Sequence, residues 1–376
     1  MIKVCHITSV HNWDDTRIFF KECVTLANYG YKVALVAPNA KNQVVQNVQV
    51  FGVENHRKSR LFRATVVAFS VFKKAFRTRS EIYHFHDPEL IWVGILLRIL
   101  GKRVIFDVHE NVKAQLTDKK WLKFPKFVIG IYSIFEWVSS KLFYIVIAED
   151  SYEELYIDKA KSITKVLNFP IIESLNSYRF PHSQKTENGI LYVGLVSETR
   201  GIVEIIKALE ILHSKNIEFT FHCIGPISDS VRDRIAKMPE FQKVKDAIVF
   251  YGRLPVNKAY HNAEKSKVAL SILHPVPNYI RSYSTKIFEY MAIGVPFIVS
   301  NFKLYEFVKE KGIGFIVDPM NPIEIANQIE RILTNEAAVE KVIDAGISEV
   351  SSNYSWDSQA KNLLNLYAEI AKSTNV

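Results

Sequence analysis

Apolar and polar positions along the chain follow two alternating periods. Short apolar runs at Val4–Thr8, Lys32–Ala37, Glu81–Phe85, Arg103–Phe106, Tyr144–Ala148 and Ile163–Leu167 read as buried strands. The stretches between them carry helical spacing, and the first predicts a helix over about 15–29 that stops at Gly30. Strand, helix and strand in this order make βαβ units, so parallel sheets are expected. Periodicity fails over 171–188, which is rich in Ser, Asn, Pro and charge, and a linker is expected there. A second series follows, with strands at Gly189–Gly194, Phe219–Gly225, Ala247–Gly252, Val268–Leu273, Phe297–Ser300 and Gly312–Val317. Its helices fall near 201–212, 286–293 and 322–333. The pattern predicts an α/β protein with Rossmann-like domains at 1–170 and 189–355, the linker 171–188 between them, and a terminal helical segment over 356–376. At 376 residues, each domain is long enough to bury a core of its own.

The stretch Ser282–Ser300 organises the second half. Ser282, Ser284 and Thr285 all suit an N-cap, and Ile287, Tyr290, Met291 and Ile293 share one helical face. Gly294 ends the helix and Pro296 bars its continuation. Lys286 and Glu289, three apart, share one side of the first turn. A helix N-terminus with a cation and a carboxylate one turn on suits a nucleoside diphosphate, with amides and Lys286 towards phosphate and Glu289 towards ribose. The same spacing equally describes an amphipathic helix with both charges in solvent. Arg200 stands at a helix start, where a cation opposes the helix dipole, so phosphate contact suits it better than capping. Gly225 and Gly252 close strands and would let a nucleobase approach the backbone, with Arg253 next to the second.

In the first half, candidate chemistry collects at the carboxyl ends of strands, where open α/β sheets bind ligands. The loop His11-Asn-Trp-Asp-Asp-Thr-Arg17 follows the first strand. Asp14 is expected to cap the next helix, while His11 and Arg17 either line a ligand crevice or stay solvated. His86-Asp87 and Asp107-Val-His109-Glu110 end two further strands. A metal on His84, His86 and His109 is chemically conceivable. It is not expected, because His84 is read as facing away from His86. No G-x-G-x-x-G follows the first strand, which disfavours a nicotinamide enzyme.

Pro275 and the run Lys286-x-x-Glu289-Tyr-Met-Ala-x-Gly-x-Pro-x-Ile resemble the donor-nucleotide segment of family-4 glycosyltransferases, retaining enzymes of GT-B fold. Glu289 matches the second of that family's two signature glutamates, and Arg281 stands where the first would be. Leu195 stands where a first cation would be, and Arg200 takes the place of the second. Asp107-x-His109-Glu110 resembles the family's N-domain site, and Trp356 its Ser-Trp position. The resemblance implies two domains facing a central cleft, with the terminal helix crossing back to the N-domain. It implies a metal-independent hexosyltransferase without cofactor, using a UDP- or GDP-sugar and a glycan or lipid-linked acceptor in surface polysaccharide or glycolipid assembly. Arg200, Gly225, Arg253, Ser284, Thr285, Lys286 and Glu289 would hold the donor. His109, with His86 and Asp87, would act at the reacting sugar, and His11, Arg17 and Glu110 would line the acceptor side. Two other classes stay open: a nucleotide-sugar epimerase of the same fold, and a non-catalytic nucleotide-binding relative.

Composition adds less. Hydrophobic residues at 48% and charged ones at 23% are ordinary for a globular chain. Three scattered cysteines make no disulfide framework and suit a reducing compartment. The first residues form a strand pattern and not a secretion signal, and no apolar run is long enough to span a bilayer, so a cytoplasmic protein is expected. Charge is informative: residues 1–170 hold 25 Lys and Arg against 16 Asp and Glu, which accounts for the whole net +9. Arg57, Lys58, Arg60, Arg63, Lys73, Lys74, Arg77 and Arg79 lie among Leu61, Phe62, Phe69, Phe72 and Phe76. This is either a core helix with a solvated rim or a surface for anionic membrane, joined by the aromatic stretch Trp121–Tyr144. No nucleic-acid module is visible, and nucleic acid is not expected as a partner.

Overall fold

The structure, a computed structural model, describes residues 1–54, 62–109, 112, 125–185 and 187–372. It divides into two compact units, Met1–Asn168 with Trp356–Val376, and Phe169–Ser355.

Unit 1 is built on eight strands: β1 (Lys3–Ile7), β2 (Lys32–Pro38), β3 (Gln43–Val45), β4 (Val48–Val53), β5 (Ile82–Phe85), β6 (Arg103–Val108), β7 (Tyr144–Ile147) and β8 (Ile163–Lys165). Their order is 3-4-2-1-5-6-7-8, parallel except for the β3–β4 hairpin. That hairpin, which the apolar pattern does not announce, turns through Gln46 and Asn47, both at positive φ. Strand order reverses between β1 and β5, so the carboxyl ends of these two strands flank the switch point where such sheets bind ligands. One face of the sheet buries Cys5, Ile7, Val36, Tyr83, Phe85 and Phe106.

The helix after β1 is wound first as a π-helix, Thr16–Cys23, then as an α-helix, Val24–Asn28. Its cap is Asp15 and not Asp14: the Asp15 carboxylate accepts from the amides of Arg17 and Ile18 at 2.9 and 3.0 Å, while Asp14 is exposed. The i→i+5 winding puts Arg17 and Glu22 on one face, directed inward. The terminal helix Trp356–Lys372 lies on this unit with Trp356, Ala360, Leu363, Tyr367 and Ile370 buried in one stripe. Trp356 Nε1 donates to Thr25 Oγ1 at 2.9 Å, and Asn362 Nδ2 donates to the Lys165 carbonyl at 3.0 Å.

Unit 2 carries a wholly parallel sheet of β9 (Gly189–Val193), β10 (Thr220–Ile224), β11 (Ile248–Gly252), β12 (Ser266–Ser271), β13 (Phe297–Ser300) and β14 (Phe315–Val317). The order 11-10-9-12-13-14 reverses between β9 and β12. The stretch read as a linker folds within this unit as two 3-10 turns, Glu173–Tyr178 and His182–Gln184. Arg179 anchors it by donating twice to the Ala292 carbonyl, at 3.1 and 2.9 Å, and buried Lys185 by donating to the Ser266 carbonyl at 2.7 Å.

In the basic segment, Val67, Ala68, Val71 and Ala75 face the core while Val66, Phe69 and Phe76 stay exposed. Arg57, Lys58, Arg60 and Leu61 lie outside the described residues, as do 121–124 of the second aromatic stretch. On the helix Pro125–Leu142, Ile134, Phe135 and Trp137 are exposed. Among the described residues no helix is long and apolar enough to cross a membrane. Cys5, Cys23 and Cys223 are buried and unbonded.

Candidate active site

In unit 2 the side chains of interest collect at the carboxyl ends of β9 and β12. The 3-10 turn Glu198–Arg200 follows β9, and Gly201, at φ +73°, passes it into the helix Ile202–Ser214. A side chain at Gly201 would strike the Ile272 carbonyl. Closer still is Gly225, where a Cβ would sit 1.7 Å from the Gly194 carbonyl oxygen. The loops after β9 and β10 therefore touch through backbone alone. Gly225 donates its amide to the Gly252 carbonyl at 2.8 Å, which sets the ends of β10 and β11 side by side, with Arg253 exposed just beyond.

Arg200 extends over Gly194, donates from Nε to the Tyr279 hydroxyl at 3.3 Å, and lies 5.6 Å from that ring's centre. The helix Thr285–Ala292 begins with Ser284 at its cap position, but the Ser284 hydroxyl accepts from Ser271 Oγ at 2.8 Å instead of capping. The helix thus starts without a side-chain cap, with Thr285 and Lys286 in its first turn. Lys286 Nζ donates to Glu289 Oε2 at 2.7 Å, and the Tyr260 hydroxyl donates to the same oxygen. Burial, and after it the nearby Arg200 cation, push the Lys286 ammonium down to about 8. Tyr290 fixes the helix by accepting from the Val193 amide at 3.0 Å and donating to the Leu270 carbonyl. Two neighbouring cations, an uncapped helix start and a carboxylate one turn along form a receptor for a polyanion that also carries hydroxyls. Leu195 is exposed, and its carbonyl accepts from the Tyr192 hydroxyl at 2.7 Å. Arg281 is exposed before the helix.

In unit 1, histidines and carboxylates cluster at the ends of β1, β5 and β6. Arg17, left open above between a crevice and solvent, is in neither. It is buried, grips Asp107 through two hydrogen bonds of 2.8 and 2.7 Å, and donates to the Val166 carbonyl at 2.8 Å. Although burial opposes it, Arg17 holds the Asp107 carboxyl well below the usual carboxylate range. His86 is also fully buried: its Nδ1 bonds Asp107 Oδ2 at 3.0 Å and its Nε2 lies 3.0 Å from His6 Nδ1. It is closed to solvent and hydrogen-bonded to Asp107. Asp87 is buried as well, accepting from Thr8 Oγ1 at 2.7 Å and from the Ser9 amide at 2.6 Å. His109 and His11 are the partly open members, with Nε2 atoms 3.1 Å apart. His109 Nδ1 lies 3.6 Å from Asp107, and His11 lies 3.4 Å from Asp87 and 3.5 Å from Asp15. Glu110 lies outside the described residues.

Beneath this layer sits His84, together with residues that motif reading passed over. His6, Glu22 and His84 are completely buried, as is Tyr367 of the terminal helix, whose hydroxyl is 2.9 Å from His84 Nδ1 and 3.2 Å from His6 Nε2. His84 does not face away from His86: two residues apart on one strand, they stack with ring centres 4.7 Å apart. Burial drives His6 and His84 towards the neutral form, and drives the Glu22 carboxyl well above its ordinary value. Among the described residues three groups have metal-ligating composition: His6, Glu22, His84 and His86; His11, Asp87 and His109; and His86, Asp107 and His109.

Set beside known proteins, the architecture has clear counterparts. Sucrose-phosphate synthase from Thermosynechococcus elongatus superposes with a TM-score of 0.75 at 16% identity, covering 99% of this chain and 100% of that one. Anabaena HepE, solved in complex with UDP-glucose, gives 0.69 at 11% identity over 98% of this chain and 100% of the other. The fold is that of the two-domain GT-B proteins. Residues 176–349 match the family model of glycosyl transferases group 1. An uncharacterised glycosyltransferase of Methanocaldococcus jannaschii is 28% identical over 206 residues, which is 54% of this chain, and the match spans half the relative's length.

Proposed function

We propose that the protein is a retaining glycosyltransferase that moves a sugar from a nucleoside-diphosphate donor to an acceptor hydroxyl. The observation that carries this is the meeting of Arg200, Lys286 and Glu289 at the uncapped start of the helix Thr285–Ala292. In this reading the diphosphate takes the two cations and the first-turn amides, and Glu289 accepts from the ribose hydroxyls. The cations then stabilise the charge that grows on the departing diphosphate, without a metal in the reaction. The base lies against the backbone at Gly225 and Gly252, with Arg253 at its edge. The match to the glycosyl transferases group 1 model over this unit supports the assignment. A donor of UDP-sugar type, in preference to a GDP-sugar, is favoured by the UDP-glucose held by the Anabaena neighbour of the same fold.

In unit 1, His109 receives the acceptor hydroxyl, with His11 beside it, and Asp87, Asp107 and His86 hold these rings in place. The exposed Phe69 and Phe76 occur on the helix Ala68–Arg77, which also carries Lys73, Lys74 and Arg77, and the exposed Ile134 and Trp137 on the helix Pro125–Leu142, which carries Lys141. This combination suits a lipid-linked acceptor taken from an anionic membrane surface, as in surface polysaccharide or glycolipid assembly.

Calorimetry with UDP and GDP tests the donor site. Arg200→Ala and Glu289→Ala should each weaken nucleotide binding at least tenfold while the melting temperature stays within a few degrees. Unchanged affinity in both variants overturns the assignment. Co-sedimentation with phosphatidylglycerol vesicles tests the membrane surface, which is refuted if Phe69→Ser with Trp137→Ser leaves the bound fraction unaltered.

A further inference from the structure

The geometry points to a closed structural metal centre inside unit 1, with zinc held by His6, Glu22, His84 and His86. It is separate from the donor site, and His86 is its one ligand that the transfer proposed above also uses.

The four residues come from three elements that share one interior face. His6 on β1 stands in register opposite His84 on β5, His86 follows two residues later on the same side, and Glu22 reaches in from the π-helix. The Glu22 carboxylate is completely buried and neither of its oxygens makes a hydrogen bond; Arg17 Nε lies 3.2 Å from Oε1 as an ion-pair partner, and among the described residues Oε2 has no such partner. Three imidazole nitrogens nevertheless converge on Glu22 Oε2: His6 Nδ1 at 3.7 Å, His84 Nδ1 at 3.7 Å and His86 Nε2 at 3.9 Å. These distances are too long for hydrogen bonds, which end near 3.2 Å. They are close to the edges of a coordination tetrahedron, since bonds of about 2.0–2.2 Å around zinc separate neighbouring ligand atoms by about 3.4 Å. His6 Nδ1 and His86 Nε2 are 3.0 Å apart, slightly short of the same edge, and all four ligand atoms lie within 4.8 Å of one another.

The surroundings fit for His6 and His86, while His84 Nε2 is buried without a hydrogen-bond partner. A metal-bound histidine characteristically gives its second N–H to an outer partner. His86, bound through Nε2, would give its Nδ1 hydrogen to Asp107 at 3.0 Å, and His6, bound through Nδ1, would give its Nε2 hydrogen to Tyr367 at 3.2 Å. Binding would exchange two hydrogen bonds, Tyr367 with His84 Nδ1 and His6 Nδ1 with His86 Nε2, for bonds to the ion. Imidazole with one carboxylate is a donor set that suits zinc, and four protein ligands leave no position open for substrate. The neighbouring groups are spoken for: Asp107 is gripped by Arg17, and Asp87 by Thr8 and Ser9. Because every ligand is buried, the ion would enter while the chain folds.

The test uses the full chain, unfolded in guanidinium with a chelator and refolded with either zinc or chelator present. Elemental analysis after gel filtration should find about one zinc per chain, the zinc-refolded protein should melt at a higher temperature, and cobalt should give the visible absorption of a tetrahedral site. Glu22→Gln and His84→Asn should keep the circular dichroism of the parent and lose at least tenfold in zinc retention. The inference is overturned if zinc and chelator give the same melting temperature and no retained metal, or if zinc is retained equally by both variants.

Discussion

Replacing Lys286 by arginine isolates the charge balance of the donor site. Lys286 is pushed down to about 8, first by burial and then by Arg200, so free protein loses this cation in mildly alkaline solution. A bound diphosphate restores the charge, and binding above pH 8 must take up a proton. Going from pH 7 to pH 9 should therefore weaken UDP binding about tenfold, one decade per unit above the free-state value. The diphosphate is already ionised over this range, because phosphate groups titrate near 6. In Lys286→Arg the cation persists, so the slope attributable to the protein disappears, and the comparison cancels ionisation of the base. The same shift governs stability. A lysine whose folded value lies below its unfolded value of about 10.4 costs stability while charged, and that cost is relieved as pH rises from about 8 to about 10.4. Calorimetry in two buffers of different ionisation enthalpy counts the proton directly. A tenfold slope that persists in Lys286→Arg, or proton uptake absent at pH 8.5, refutes the reasoning.

Two other substitutions probe what holds the sites. Arg17→Met leaves Asp107 buried without its bidentate partner, and should cost about 3–5 kcal/mol in urea unfolding; pairing it with Asp107→Asn should cost less than the two single changes added together. Gly225→Ala drives a methyl into the Gly194 carbonyl, so a loss of at least about 2 kcal/mol is expected together with weaker nucleotide binding, and a melting temperature equal to the parent's would contradict that close approach.

What could be read from the chain, and what could not, divides along the range of the interactions. The helix Thr285–Ala292, its Lys286–Glu289 pair and its stop at Gly294 are set by residues within one short stretch, and spacing reveals them. Tyr260, from the short helix Val256–His261, and Tyr279, from a loop, complete the surroundings of Glu289 and Arg200 without any local signature. Arg17 shows the limit most clearly. An arginine in a polar loop looks solvated until the β6 strand delivers Asp107, 90 residues later in sequence, against it. Which of Asp14 and Asp15 caps the helix could not be read for a different reason: adjacent acids have the same propensity, and only backbone geometry separates them.

The buried cluster was partly legible, and the reason it was missed is instructive. His84 and His86 differ by two positions on a strand, and a period of two puts both on one face, so the expectation that they diverge contradicted the strand assignment itself. Had that period been applied, an interior pair of imidazoles would have followed from the sequence. What no local rule supplies is the register of β1 beside β5, which brings in His6, or the π-winding that turns Glu22 inward beside Arg17. An interior face with three imidazoles and a carboxylate is unfavourable as bare polar surface, and the fold must compensate it either through the hydrogen-bonded run from Tyr367 to Asp107 or through a cation at its centre. The run gives partners to His6 and His86 but not to either oxygen of Glu22. Arg17 pairs with Glu22 Oε1, and a cation at the centre would account for Oε2 as well, so the metal content of the folded chain decides between the two.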